Sequence, residues 1–145
     1  MANELNQQSN ATRNWVEGAG SQVSRKIFTD PDIHALEMER IFGRSWLFLA
    51  PESELPNPGD YVTRPMGGDH VIVVRGDDGK IRGFLNSCRH RGMPLCRADA
   101  GTTRRFVCPY HAWTYDITGA LRTTSFDQHY QHFDLAQHGL VPVTQ

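Results

Sequence analysis

The stretch HVIVVRGDDGKIRGFLNSCRH, residues 70–90, decides the fold class of this chain. Two apolar, β-branched runs at 70–75 and 80–85 flank Gly76-Asp-Asp-Gly79, and this order predicts a β-hairpin. The second run leads into Cys88-Arg-His90, so a thiol and an imidazole are expected on the loop that follows a strand.

More short strands are predicted on both sides of this hairpin. They cover 61–64, 105–108 and 112–116, and the last of them continues past a turn at Thr118-Gly119 into 121–122. The thirteen Gly and eight Pro residues favour short strands and many turns over long helices. The predicted fold class is therefore mostly β, built from antiparallel hairpins and sheets.

One helix is expected before the strands. Thr29 or Asp30 can cap its N-terminus, Pro31 suits its first turn, and Gly43 marks its end. Residues 1 to about 24 are polar and aperiodic and predict a tail. The expected organisation is a tail plus helix over 1–44 and a β domain over 45–145. An apolar stripe on the helix predicts packing into a core; its residues are Ile33, Leu36, Met38, Ile41 and Phe42.

Composition restricts the possible partners. The chain has 145 residues, 39% hydrophobic and 21% charged, as is ordinary for one globular domain. Its formal net charge of -1 gives no overall attraction to nucleic acid or to an anionic membrane. No apolar run is long enough to span a bilayer, and the first twenty residues do not resemble a secretory signal. A cytoplasmic location is therefore expected.

Two short segments carry soft metal-binding side chains: Cys88-Arg-His90 and Cys108-Pro-Tyr-His111. Thiolates and imidazoles suit zinc or an iron–sulfur cluster. Zinc fingers normally pair Cys with Cys and His with His, whereas here each segment gives one of each. That mixture favours a [2Fe–2S] cluster with the two Cys on one iron and the two His on the other. A zinc site and a chance grouping of unrelated side chains are the alternatives.

The spacing Cys88-x-His90-x17-Cys108-x2-His111 resembles the Rieske signature. The wording of Cys88-Arg-His-Arg-Gly-Met93 and Cys108-Pro-Tyr-His-Ala-Trp113 resembles the large (α) subunit of bacterial Rieske ring-hydroxylating dioxygenases. Leu95-Cys-Arg-Ala-Asp-Ala-Gly101 is similar to the branch that acts on biphenyl and polycyclic aromatics. The resemblance extends over nearly all of the chain after about residue 25.

This resemblance implies an electron-transfer domain of an NAD(P)H-dependent oxygenase. A ferredoxin or reductase would supply electrons, and a mononuclear Fe(II) would use them for O2-dependent cis-dihydroxylation of an aromatic substrate. The resemblance places that iron in a C-terminal catalytic domain that we expect to be absent here, so the chain alone should be inactive. It also implies a hetero-oligomer of α and β subunits. A free-standing Rieske ferredoxin is the alternative function.

Several residues depart from the family pattern or suggest further roles. Ala112 stands where the family usually has Gly, and its Cβ would be strained if φ were positive. Cys96 has no expected disulfide partner and is expected to be buried. High-potential relatives place a Ser hydroxyl and a Tyr hydroxyl near the cluster sulfurs; here Trp113 replaces the Ser and Tyr115 is kept, which predicts a low potential.

Two other groups of side chains contain charged or metal-binding residue types. Arg89, Arg91 and Arg97 lie beside the first ligand segment and are candidates for docking an electron-transfer partner. His129, His132 and His138 lie near Asp127 and Asp134, but neither acid has a His three positions later, as the family's mononuclear iron site requires. These five residues are therefore predicted to be ordinary loop or surface positions.

Overall fold

The computed structural model describes residues 16–17, 20–125 and 133–143. The described residues form two compact units, one up to Trp46 and one from Leu47 onward. The division between a tail-plus-helix segment and a β domain after residue 44 remains a prediction. None of the described helices is long and apolar enough to cross a membrane.

The first unit contains one α-helix and a very small hairpin. Helix α1 spans Pro31–Arg40, and the Asp30 side chain caps it by accepting a hydrogen bond from the Asp32 N–H at 3.0 Å. Strand β1 (Val16–Glu17) pairs antiparallel with β2 (Gln22–Val23), so the predicted aperiodic tail is wrong at its C-terminal end.

The predicted core packing of the helix stripe is also wrong. No residue of α1 is buried, and Ile41 is 52% exposed. The other described elements of this unit are two-residue strands and short 3-10 turns, which offer too little apolar surface to cover a helix face.

The second unit holds two antiparallel sheets, as the fold class predicted. The four-stranded sheet has the order β5-β4-β3-β6, and the three-stranded sheet has the order β7-β8-β9. The strand bounds are β3 Asp60–Met66, β4 Asp69–Arg75, β5 Ile81–Leu85, β6 Ala100–Thr102, β7 Arg105–Val107, β8 Thr114–Asp116 and β9 Leu121–Thr123. The predicted hairpin is the β4–β5 pair, with Arg75 opposite Ile81. Strand β6 was not predicted.

Strand β4 is buried on both faces, which explains its continuous apolar sequence. Successive side chains of a strand point to opposite faces. Val71 and Val73 therefore join one apolar core with Leu55 and Val62, whereas its even-numbered residues join another. That other core contains both cysteines of the predicted site; its buried residues are Ile72, Val74, Phe84, Cys88, Leu95, Phe106, Cys108, Trp113, Tyr115, Ile117, Leu121 and Leu140.

Candidate metal centre

Two loops present the predicted donor side chains. Loop 1 (residues 86–96) follows β5, and loop 2 (residues 108–113) connects β7 to β8. In loop 1 the Gly92 N–H donates to the Cys88 carbonyl at 2.8 Å, and the Cys88 N–H donates to the Met93 carbonyl at 2.9 Å. These two bonds close residues 88–93 into a compact turn.

Loop 2 repeats this hydrogen-bond pattern residue for residue. The Ala112 N–H donates to the Cys108 carbonyl, and the Cys108 N–H donates to the Trp113 carbonyl, both at 2.9 Å. Gly92 and Ala112 therefore hold equivalent positions, and both have a positive φ, 71° and 55°. Ala112 is the only non-glycine residue with a positive φ in the described part of the chain. The conditional expectation of strain at this residue is thus met.

The loops bring like donors together. Cys88 and Cys108 are 2% and 3% exposed and lie in the same buried core. The rings of His90 and His111 meet edge to face with their centroids 4.6 Å apart. The thiol pair and the imidazole pair each take one residue from loop 1 and one from loop 2. The distances within both pairs therefore depend on how the two loops face each other.

Both imidazoles carry an unsatisfied buried nitrogen. Nδ1 of His90 and Nδ1 of His111 are buried and have no hydrogen-bond partner. A buried polar atom without a partner is costly and calls for an explanation such as a bound ion. A metal bound through Nδ1 would satisfy both atoms at once, so the donor set fits a metal-containing group.

The arrangement also bears on which metal group fits. Across the described ranges, no three His, Cys, Asp or Glu side chains converge so as to hold a single metal ion. A structural zinc site needs four protein donors around one ion. A two-iron cluster needs only two protein donors at each iron in its Rieske form. Two separate like pairs therefore fit the cluster better than zinc.

Burial sets the protonation of these donors. Burial lowers the pKa of His90, and the nearby His111 and Arg91 lower it further. A neutral imidazole has a lone pair for a metal, so this shift favours ligation at neutral pH. Burial raises the pKa of the Cys88 thiol, and a hydrogen bond with Tyr115 partly offsets that rise. The thiol proton is therefore released only when a metal replaces it.

Tyr115 connects the β7–β8 hairpin to loop 1. Its hydroxyl lies 3.3 Å from Cys88 Sγ and accepts a hydrogen bond from the Arg89 N–H at 3.0 Å. A metal-bound thiolate can only accept, so the hydroxyl proton would point at sulfur. The sulfur-directed tyrosine hydroxyl expected from the sequence is therefore in place.

The contact made by Trp113 was not predicted. Its indole is 3% exposed and stacks on the His90 ring with centroids 4.9 Å apart and planes 9° apart. Asn86 was missed as well; it is a buried amide that closes loop 1. A polar amide directly after the apolar run of β5 was the available signal, because such a residue must find partners.

The remaining predictions divide between described and undescribed residues. Cys96 is a free thiol as expected but only half-buried, and burial raises its pKa to about 11. His138 binds the Asp134 carbonyl through Nδ1 at 2.9 Å, an ordinary loop contact. The other members of that His and Asp group, at 127, 129 and 132, lie outside the described residues.

The comparisons with known proteins agree with this site. Residues 45–134 match the model of the Rieske [2Fe-2S] domain. The chain is 53% identical over 111 residues to the chlorobenzene dioxygenase subunit alpha of Cupriavidus sp. (strain PS12), covering 77% of this chain and 24% of that protein. It is 46% identical over 118 residues to the biphenyl dioxygenase subunit alpha of Paraburkholderia xenovorans (strain LB400), covering 81% and 26%.

A solved structure shows the same likeness in three dimensions. The naphthalene 1,2-dioxygenase from Rhodococcus sp. bound to indole superposes with a TM-score of 0.77 at 48% identity, covering 83% of this chain and 28% of that chain. The chain thus spans about a quarter of the length of the curated relatives it matches.

Proposed function

Since the chain belongs to the Rieske [2Fe–2S] domain family, we propose that it is the electron-transfer domain of an aromatic-ring-hydroxylating dioxygenase α subunit. The observation that carries this proposal is the pair of buried, unpartnered Nδ1 atoms on His90 and His111. They lie on the same two loops as a pair of buried thiols, and no other described group explains them.

In this proposal each of the two irons is held by a different pair of side chains. Cys88 and Cys108 would hold one iron as thiolates, and His90 and His111 would hold the other through Nδ1. When bound, such a cluster accepts and passes on single electrons. The half-buried imidazoles form the more accessible side of the site, and the thiols form the buried side. Electron exchange with a partner would therefore occur on the histidine side.

The whole protein's activity extends this proposal beyond the chain. Electrons would come from NAD(P)H through a reductase and a ferredoxin, and a mononuclear iron outside this chain would use them to dihydroxylate an aromatic substrate. The α and β subunits would form a hetero-oligomer. Three free cysteines and an iron–sulfur cluster suit a reducing compartment, which supports a cytoplasmic location.

Cluster content tests the proposal directly. The chain is reconstituted anaerobically, and iron, acid-labile sulfide and the visible spectrum are measured. We expect two irons and two sulfides per chain for the wild type and for Cys96→Ser, whose thiol is outside the proposed ligand set, and a loss of both for Cys108→Ser. One zinc without sulfide in the wild type, or an intact cluster in Cys108→Ser, would contradict the ligand assignment.

The chain alone should not turn over substrate. Across the described residues no three His, Cys, Asp or Glu side chains converge to hold a single metal ion, so these residues provide no mononuclear iron site for oxygen. An assay with reductase, ferredoxin, NADH and several aromatic compounds should reduce the cluster but form no diol. Diol above the blank would refute the division of labour between this chain and a separate iron site.

Unpaired arginines support an acidic partner on the histidine side. Arg89, Arg91 and Arg97 are exposed, and the described residues provide none of them with an ion pair. Arg104, by contrast, forms an ion pair with Asp77 of the β4–β5 turn. This turn precedes β5, whereas loop 1 follows β5 at its other end. Unneutralised charge beside a redox site steers an oppositely charged partner.

The salt dependence of the reduction rate distinguishes a docking role of these arginines from a general effect of positive charge. Each of the three loop arginines is changed to Ala, and the rate of cluster reduction by the ferredoxin is measured against ionic strength. We expect slower reduction and a shallower salt dependence for at least one of them, with Arg104→Ala as the matched charge control. Equal rates and slopes for all four variants would remove this part of the proposal.

A further inference from the structure

The two loops of the site are closed in different ways. Loop 2 is closed by the β7–β8 ladder, in which Val107 pairs with Thr114 just outside the loop. Loop 1 has no such ladder, because β5 ends at Leu85 and residues 94–99 form no strand. Some other contact must hold the far end of loop 1 against its beginning.

Asn86 provides that contact through its side chain. Its Oδ1 accepts hydrogen bonds from the N–H groups of Leu95 at 2.9 Å and Cys96 at 3.0 Å. Its Nδ2 donates to the Cys96 carbonyl at 2.7 Å. The amide thus pairs with two consecutive backbone positions, as a neighbouring strand would.

The backbone of Asn86 is anchored as well. Its N–H donates to the His70 carbonyl of β4 at 2.8 Å, and the residue as a whole is 8% exposed. Residues 98–99 are bound to β3 separately, through the N–H and hydroxyl of Thr63. Asn86 therefore joins the sheet to the end of loop 1 at a point that the Thr63 contacts do not reach.

We propose that Asn86 is a positioning residue for the cluster, and this inference rests on the proposed function. By closing loop 1 it keeps Cys88 and His90 facing Cys108 and His111, which come from the other loop. Leu95, one of the residues it binds, packs in the same core as both thiols. Displacement of the 95–96 segment would therefore move the thiol and imidazole of loop 1 together.

A general stabilising role is the competing explanation, and Val73→Ala controls for it. Val73 is 6% exposed and packs in the core formed with Leu55, Val62 and Val71, which includes no residue of loop 1. Its truncation weakens the sheet without touching the loop. Asn86→Ala leaves three backbone groups of the loop itself, the buried Leu95 N–H and the part-buried Cys96 N–H and carbonyl, without their Asn86 partner.

Three readouts are compared among the loaded wild type, Asn86→Ala and Val73→Ala chains: iron and sulfide content, the electron paramagnetic resonance g values of the reduced cluster, and the rate of iron loss to a chelator. We expect Asn86→Ala to shift the g values and to lose iron about ten times faster than wild type, or to retain no cluster at all. Val73→Ala should keep the wild-type g values. Two variants with the same g values and the same rate of iron loss would overturn the proposal.

Hydrogen exchange provides a second test that does not depend on cluster retention. In the wild-type chain the amides of Leu95 and Cys96 should exchange slowly, as slowly as those of β4, and in Asn86→Ala only the loop amides should become fast. Unprotected amides at 95 and 96 in the wild type would overturn the inference. A wild type without iron and sulfide would instead refute the proposed function, so the two failures are distinguishable.

Discussion

Replacement of Ala112 by Gly should stabilise this protein. Ala112 has φ 55°, a left-handed conformation that costs an L-residue roughly 1–2 kcal/mol. Glycine removes this cost, but its greater conformational freedom in the unfolded chain offsets roughly 0.4–1 kcal/mol of the gain in stability. The side chain is exposed, so its removal leaves no cavity. The expected net gain in the free energy of unfolding is about 0.8 kcal/mol. For a domain the size of the second unit this corresponds to a rise of about 3–6 °C in Tm.

The equivalent position of loop 1 supplies the reverse experiment. Gly92 has φ 71°, and a Cβ built there would approach nothing more closely than Ser87 Oγ at 3.8 Å, an ordinary contact. The Gly92→Ala change therefore isolates the conformational cost and should destabilise by about the same 0.8 kcal/mol. Ala98→Gly, at an exposed position without a positive φ, controls for unfolded-state entropy alone and should destabilise slightly.

The midpoints are measured by circular dichroism on the cluster-loaded chains, anaerobically and at one scan rate, because bound cofactors make unfolding depart from two states. Ala112→Gly should raise the midpoint, and Gly92→Ala should lower it. Shifts of the same sign in these two variants, or a destabilised Ala112→Gly, would refute the reasoning from φ.

Three further changes have defined outcomes. Tyr115→Phe removes the hydroxyl beside Cys88 Sγ and should lower the reduction potential, which we expect to lie near the low end of the Rieske range; voltammetry should show a fall of roughly 60 mV for each tenfold loss of preference for the reduced state. Cys96 should react with iodoacetamide with a midpoint near pH 11 instead of near 9, because burial raises its pKa; an inflection near 9 would contradict its burial. Gly119→Ala would force a Cβ into the ring of Phe84 on β5. It should therefore destabilise the protein far more than Gly79→Ala, where a Cβ meets nothing within 4 Å at a similar positive φ. Equal thermal midpoints for the two variants would refute the steric argument.

Local signals predicted most of the second unit correctly. The glycine-flanked turn at 76–79 and its apolar neighbours specify the β4–β5 hairpin, because turn chemistry and strand alternation act within a few residues. Strand β6 escaped prediction because Ala100–Thr102 has a weakly β-forming sequence and owes its pairing to β3, about forty positions earlier in the chain. The apolar stripe of the helix led to a wrong prediction of core packing, because periodicity alone does not specify what covers an apolar face.

The sequence predicts which side chains make up the candidate site, but not the contacts that hold its two loops in place. Spacing predicted the four candidate donor side chains, because Cys-x-His and Cys-x2-His are local patterns. The three bonds of Asn86 depend on how loop 1 folds back on itself, and the stacking of Trp113 on His90 joins two separate loops, so no local pattern encodes either. Ala112 is an intermediate case: its departure from glycine is visible in the sequence, but its positive φ is a property of the folded loop.

The β7–β8 hairpin does more than supply two of the donors. Each like pair takes one donor from each loop, so the loops must be fixed to each other as well as folded individually. Trp113, the last residue of loop 2, and Tyr115 of β8 both pack in the core that contains the two thiols. From that core the indole stacks on His90, and the hydroxyl binds Cys88 and the Arg89 N–H, all in loop 1. Loop 1 is thereby held at its base by Asn86 and at its donor end by two aromatic side chains of the opposite hairpin. The packing of this hairpin on loop 1 therefore contributes to the spacing of the two thiols and to the spacing of the two imidazoles.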